Sequence, residues 1–190
     1  MSNRIICVVG MPGSGKSVVA DELVKKGFAF LRFGQITLDI VKERGLKPIE
    51  KNEREVREGL RKEHGMAAFA LLNIPKIDEL LKKSDVAVDG LYSWSEIKVL
   101  KEKYGDLMNV VAVFAPPKTR YERLTNRNVE GDEAQRFRNF TKEEARSRDY
   151  AEIENLEKGG PIVMADFTIV NTGTTDQLKE SVKGVLSQIK

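Results

Sequence analysis

Gly10-Met11-Pro12-Gly13-Ser14-Gly15-Lys16-Ser17 fits the pattern G-x-x-x-x-G-K-[ST], and both the residue types and their spacing prescribe chemistry. Glycines admit backbone conformations that other residues resist, so successive N–H groups can turn inward around a phosphate. A helix opening at Lys16 aims the positive end of its dipole at the same anion. Lys16 can reach the outer phosphates of a triphosphate, and the Ser17 hydroxyl can serve Mg²⁺. Gly10, Pro12, Gly13, Ser14, Gly15, Lys16 and Ser17 are therefore the candidate triphosphate-binding residues. The run before them, from Ile5 to Val9, is short, apolar and β-branched, so the motif follows a strand and opens a helix.

A second acidic group follows from Val86-Ala87-Val88-Asp89, a short apolar strand that ends in a carboxylate. An aspartate at such a strand end can hold Mg²⁺ through water, opposite Ser17, or can cap the next turn. Asp85, at the far end of that strand, is expected to be solvated. A third group is arginine-rich: seven of the thirteen arginines lie between Arg120 and Arg148. Arg120, Arg123 and Arg127 share one helix face by their spacing. Arg136, Arg138, Arg146 and Arg148 follow, with Lys118 and Lys142 the only lysines nearby. The planar guanidinium suits two-pronged phosphate binding, so the cluster reads as a phosphate-clamping lid. Interspersed acids such as Glu122, Glu130 and Glu144 keep a solvated role open for any single arginine.

These groups need elements to position them. A chain of 190 residues with 41% hydrophobic and 32% charged residues can bury a core and suggests one domain. Strands are expected at 5–9, 28–33, 86–88, 110–114 and 166–170. Helices are expected at 16–26, 95–103, 119–127, after Lys142, and at 176–189. The region 34–83 reads as mostly helical, broken near 45–48, near Gly65 and near Pro75. His64 belongs at a helix end. Strands alternating with helices indicate a three-layer α/β/α fold around a parallel five-stranded sheet. The stretches 35–83 and 128–160 fit that rhythm poorly and read as insertions over the ligand-binding edge. The core would then be 1–34, 84–127 and 161–190. Within 146–160, dense charge gives way to Gly159-Gly160, and only a helix, a turn and re-entry into the last strand can be read there.

Composition excludes some functions. One cysteine, Cys7, permits no internal disulfide and no paired-cysteine metal site, and it lies in an apolar run as a core residue would. No apolar stretch is long enough to cross a bilayer, so a cytoplasmic protein without a membrane partner is expected. A net charge of +3 with no long basic stripe gives little support to a nucleic-acid partner.

Taken together, four segments resemble the P-loop nucleoside monophosphate kinase superfamily. They are the 10–17 loop, Val88-Asp89-Gly90, Arg120-x-x-Arg123-Leu124-x-x-Arg127, and Ala165-Asp166-Phe167-x-Ile169-x-Asn171-x-Gly173. The C-terminal half looks most like dephospho-CoA kinase and a related, mostly archaeal group of predicted nucleotide kinases. The resemblance implies that Lys16, Asp89, Arg123 and Arg127 serve catalysis. It implies that Arg123, Arg127, Asn171 and Gly173 border the ATP, and that 128–148 closes as a lid. The 35–83 insertion would hold the phosphoryl acceptor, with Arg57 and Arg61 as candidates to grip its phosphate. Where the family has an acid after the second strand, this chain has Gly34-Gln35, with Asp39 one helical turn on. Where adenylate kinases read Asp-Gly-Phe-Pro-Arg, it reads Asp89-Gly90-Leu91-Tyr92-Ser93-Trp94. Gln35, Asp39, Tyr92 and Trp94 complete the acceptor-site candidates, Tyr92 and Trp94 as stacking or as core aromatics.

The resulting expectation is transfer of the γ-phosphoryl of ATP, with Mg²⁺, to a small nucleotide-like acceptor. Dephospho-CoA kinase is the alternative within that class. A regulatory NTP-hydrolysing module is a further one, although no guanine-reading Asn-Lys-x-Asp motif occurs. A 5′-hydroxyl polynucleotide kinase is the reading that would need nucleic acid. Oligomeric state is not legible.

Overall fold

The computed structural model describes residues 3–126 and 140–189. Five strands form one parallel sheet: β1 (Ile5–Val9), β2 (Ala29–Arg32), β3 (Val86–Asp89), β4 (Met108–Phe114) and β5 (Phe167–Val170), in the order β2-β3-β1-β4-β5. β1 is central and buried along its whole length, which is why it reads as an unbroken apolar run. Its side chains alternate between two cores. Ile5, Cys7 and Val9 pack with Phe69 and Ile77 of α4 (Ala68–Leu81) and Ile97 and Leu100 of α5 (Trp94–Tyr104). Ile6 and Val8 pack on the other face with Val19 and Leu23 of α1 (Lys16–Lys25) and Leu178 and Val182 of α9 (Thr175–Gln188). The three-layer α/β/α arrangement read from the sequence is the one formed.

The remaining helices are α2 (Gln35–Glu43), α3 (Glu50–His64), α6 (Pro117–Thr125), α7 (Lys142–Leu156) and the short α8 (Gly159–Val163). Local signals explain their ends. Ser93, Thr141 and Thr174 each form a capping box with the Glu or Gln three residues on, starting α5, α7 and α9. α6 begins two residues earlier than expected because Pro117 suits the first helical position, where its missing N–H costs nothing. His64 closes α3 before Gly65, at φ 75°.

Three details differ from expectation. Pro75 does not break the chain but sits inside α4. Pro75 and Leu71 are both exposed, so the carbonyl that Pro75 leaves without a helical donor lies on the solvent side. Asp85 is not solvated: its carboxylate accepts the backbone N–H of Arg4 at 2.9 Å and the Arg4 Nε–H at 3.4 Å, clamping the start of β1. Asp166 stands just before β5, because its carboxylate accepts the Val110 N–H at 2.7 Å and Lys101 at 3.0 Å.

All five strands end on the same edge, and the loops that follow them build one rim. Register sets the alignment: Val8 lies beside Asp89, and Val9 beside Ala112. Among the described residues, no helix is long and apolar enough to cross a membrane.

Candidate phosphate-binding site

The loop between β1 and α1 has left-handed backbone at Gly10 (φ 145°), Gly13 (77°) and Gly15 (105°). A side chain is excluded there for steric reasons too. A Cβ at Gly10 would overlap the Val113 carbonyl, one at Gly13 would lie 2.7 Å from the Arg120 carbonyl, and one at Gly15 would overlap the Asn171 amide. The loop is therefore wedged between β4, α6 and the turn after β5. Asn171, largely buried, donates from Nδ2 to the Ser14 carbonyl at 2.7 Å, and its own N–H donates to the Phe114 carbonyl. Arg123 donates from Nη2 to the Asn171 carbonyl at 3.1 Å. Arg123 Nη1 and Ser14 Oγ are buried with no partner among the described residues. Two polar groups in need of a partner thus border the glycine cradle. Gly173 makes room for the Gln177 side chain that caps α9.

Lys16 Nζ donates to the Met11 carbonyl at 3.0 Å. Burial, and then the positive charge of Lys158, draw its ammonium down to about 7, while Asp89 and Glu152 pull the other way. Asp89 ends β3 level with the last residues of β1. Ser17, in the first turn of α1, supplies the other oxygen. Two oxygen donors beside a phosphate cradle fit a hard cation such as Mg²⁺, which keeps several waters and takes few protein ligands. Among the described residues no group of three or more His, Cys, Asp or Glu could hold a metal by itself, so phosphate oxygens would have to complete the shell.

The arginines divide. Arg120 is 4% exposed and turned inward. Its Nε donates to the Ala115 carbonyl, one Nη to the Pro12 carbonyl at 3.0 Å, and both Nη atoms to the buried carboxylate of Asp149. It therefore fixes α7 to the glycine loop. Arg146 donates to the exposed Tyr150 hydroxyl at 3.1 Å. Arg148 donates to Glu152 at 2.9 Å and lies 5.3 Å from the Phe140 ring centre. Arg127, Arg136 and Arg138 lie outside the described residues.

The acceptor-side candidates also divide. Gln35 and Asp39 are exposed and bonded to each other at 2.9 Å on α2. Arg57 is engaged by Glu50 at 2.6 Å and Glu53 at 3.4 Å along α3. Arg61, one turn on, lies 5.1 Å from the Phe69 ring centre, with its Nε buried and unpartnered. Tyr92 and Trp94 flank the β3–α5 turn, where burial pushes the Tyr92 hydroxyl up to about 12.

Three charged residues of this region escape a reading of the sequence. Glu96 is fully buried: one carboxylate oxygen accepts the N–H groups of Tyr92 and Ser93, and the other has no partner. Burial pushes its carboxyl up to about 7. The Ser93-x-x-Glu96 spacing could have marked it as a cap, but not as buried. Lys158 and Glu152 form a buried ion pair. Glu152 follows Arg148 at helical spacing, which is a usable signal. Nothing in the sequence marks Lys158 as buried.

Comparison with known proteins adds to this geometry. Residues 6–147 match a family model described as an AAA domain. UPF0200 protein TK1334 of Thermococcus kodakarensis is 36% identical over 187 residues, covering 97% of either chain. Among solved structures, TT1252 of Thermus thermophilus superposes over the full length of both chains, with a TM-score of 0.66 at 20% identity. A gluconokinase of Sinorhizobium meliloti superposes with a TM-score of 0.57 at 14% identity, over 98% of this chain and 93% of its own. The P-loop kinase type of fold implied by the sequence resemblance is what these likenesses show.

Proposed function

The chain belongs to the UPF0200 family and to the AAA-domain family of P-loop proteins, and from that premise we propose that it is an ATP-dependent phosphotransferase acting on a small nucleotide-like acceptor. One observation carries the reading. The glycine cradle, Lys16 and Ser17 follow β1 on the same carboxyl rim of the sheet as Asp89, which is level with Val8. ATP is the donor and Mg²⁺ the cofactor, and Ser17 and, through water, Asp89 would hold the ion. Mg²⁺ would neutralise charge between the outer phosphates.

The roles of the protein groups follow from their positions. Loop N–H groups and Lys16 bind the phosphates. Arg123, braced on Asn171, neutralises charge or covers the base, and Arg127, Arg136 and Arg138 belong to a closing lid, while Arg146 and Arg148 meet it from α7, which Arg120 holds to the glycine loop. Asn171 holds the loop in shape. On the acceptor side Arg61 is better placed than Arg57, whose guanidinium is already engaged. Tyr92 and Trp94 would stack on the acceptor, and Gln35 and Asp39 would be its further contacts. The whole chain works as one kinase unit in the cytoplasm, with 35–83 over the acceptor and 128–160 as the lid and the helix that follows it.

The test is ADP release from Mg-ATP across nucleoside monophosphates, deoxynucleoside monophosphates and dephospho-CoA. Gluconate joins that panel because of the gluconokinase likeness. Release that depends on one acceptor is expected, and turnover by dephospho-CoA would select the alternative kinase. Acceptor-independent release would favour an NTP-hydrolysing module. Lys16→Ala should abolish transfer with its circular dichroism unchanged, and near wild-type transfer by that variant would refute the reading.

A further inference from the structure

The corner between α7 and α8 carries buried charge that the roles above leave unused. Glu157, which closes α7, is the one non-glycine residue with positive φ among the described residues, at 54°. That conformation is unfavourable for a residue with a Cβ. The turn aims two side chains. Glu157 accepts hydrogen bonds from the Ser95 hydroxyl at 2.9 Å and the Ser95 N–H at 3.2 Å, tying the corner to the start of α5. Lys158 points inward, its side chain 3% exposed and its Nζ 4.4 Å from the Tyr92 ring centre. Gly160 then packs so closely on Trp94 that a Cβ would lie 2.8 Å from the Trp94 Cβ.

This places Lys158 over the carboxyl end of β3, on the rim that also carries the glycine loop. The Tyr92 ring beneath it lies against Gly90, the residue after Asp89, and Asp89 is level with Val8. From the other side, Arg120 fastens α7 to the Pro12 carbonyl through Asp149. Glu152, three residues beyond Asp149, takes both Lys158 and Arg148. That sets two cations against one carboxylate, with Lys158 and Glu152 almost wholly buried. Such an excess is unfavourable until an anion enters.

We propose that Lys158 is a catalytic residue that contacts the phosphoryl group in transit on the acceptor side of the cleft, with Glu152 as its counter-ion when no phosphate is bound. The inference rests on the glycine loop being the donor site. During transfer the acceptor oxygen bonds to the γ-phosphorus as the bond to the β,γ-bridging oxygen breaks. ADP leaves with that electron pair, and the acceptor's proton passes to water. Lys158 gives up neither electrons nor a proton, and neutralises charge on the equatorial phosphoryl oxygens. Tyr92 is the platform that keeps its ammonium in line.

Calorimetric titration with Mg-ADP, alone and with aluminium fluoride as a planar mimic of the phosphoryl in transit, tests this. Lys158→Met should bind Mg-ADP within about twofold of wild type and the fluoride complex about tenfold or more weakly, because only the mimic occupies the transferring position. Equal affinity of variant and wild type for the fluoride complex would overturn the inference and leave the donor site standing. Failure of the wild type to bind Mg-ADP would remove the donor site and the inference together. If Glu152 left unpaired unfolds the single variant, Glu152→Gln/Lys158→Met removes both charges at similar volume and must show the same selective loss. Glu152→Gln alone keeps Lys158 and should bind the mimic at least as tightly as wild type. A loss there equal to that of Lys158→Met would show a structural brace and overturn the proposal.

Discussion

Glu96 shows what burial does to a single carboxyl. Its cap to Tyr92 and Ser93, and the charges of Arg61 and Lys158, favour the ionised form, yet burial outweighs them and carries it from 4.5 up to about 7. A carboxyl raised on folding contributes fully below its unfolded value and loses that contribution as pH rises through the folded one. Wild-type stability should therefore decline between about pH 4.5 and pH 7 through this group, by up to roughly 3 kcal/mol. Glu96→Gln keeps an oxygen for both N–H groups and has no charge to bury. Urea unfolding of the two proteins should coincide near pH 4.5 and diverge toward pH 8, with the variant the more stable. Parallel curves across that range would mean that Glu96 ionises without penalty.

At the scale of elements, the glycine loop is shaped from outside as much as by its own residues. α6 brings Arg120 to the Pro12 carbonyl, the turn after β5 brings Asn171 to Ser14, and α7 supplies the Asp149 that anchors Arg120. Breaking one half of a buried ion pair typically costs about 3–5 kcal/mol, because the other half is left charged and unpaired. Arg120→Met and Asp149→Leu should each show a loss of that order in urea unfolding. The double variant should be less destabilised than their sum by about 1–3 kcal/mol. Strict additivity would show that α6 and α7 are not coupled through this pair.

This is also the scale at which the sequence stopped being legible. The β-α order, the loop and Asp89 could be read because each is local: an apolar run, a glycine pattern, a strand-end acid. Arg120 carried the same signal as Arg123, and only the meeting of α6 with α7 shows that one of them is a brace. Asp85 looked solvated because its partner, Arg4, lies 81 residues away in the chain. Lys158 is visible as a residue beside a double glycine, but its burial depends on Tyr92, Glu152 and the packing of Gly160 on Trp94. Pro75 reads as a break because its exposed setting within α4 depends on tertiary packing.

For the whole molecule, the candidate phosphate site draws on β1, β3, β4, α1, α6 and the turn after β5, so a ligand there would touch most of what holds the sheet rim together. Binding to the folded chain alone should stabilise it by about 2.7 kcal/mol at a hundredfold excess over Kd. Mg-ATP should therefore raise the melting midpoint of the wild type and not of Lys16→Ala. Equal shifts for both proteins would place the nucleotide elsewhere.

Cys7 gives this central strand a further use. Its thiol is fully buried in β1, and burial pushes it up to about 12. A thiol reagent can reach it only when the sheet itself comes apart. Labelling of the untouched wild-type chain thus reports the rate or the equilibrium of global opening, according to whether the reagent outpaces reclosure. With a single thiol in the chain, the signal needs no deconvolution.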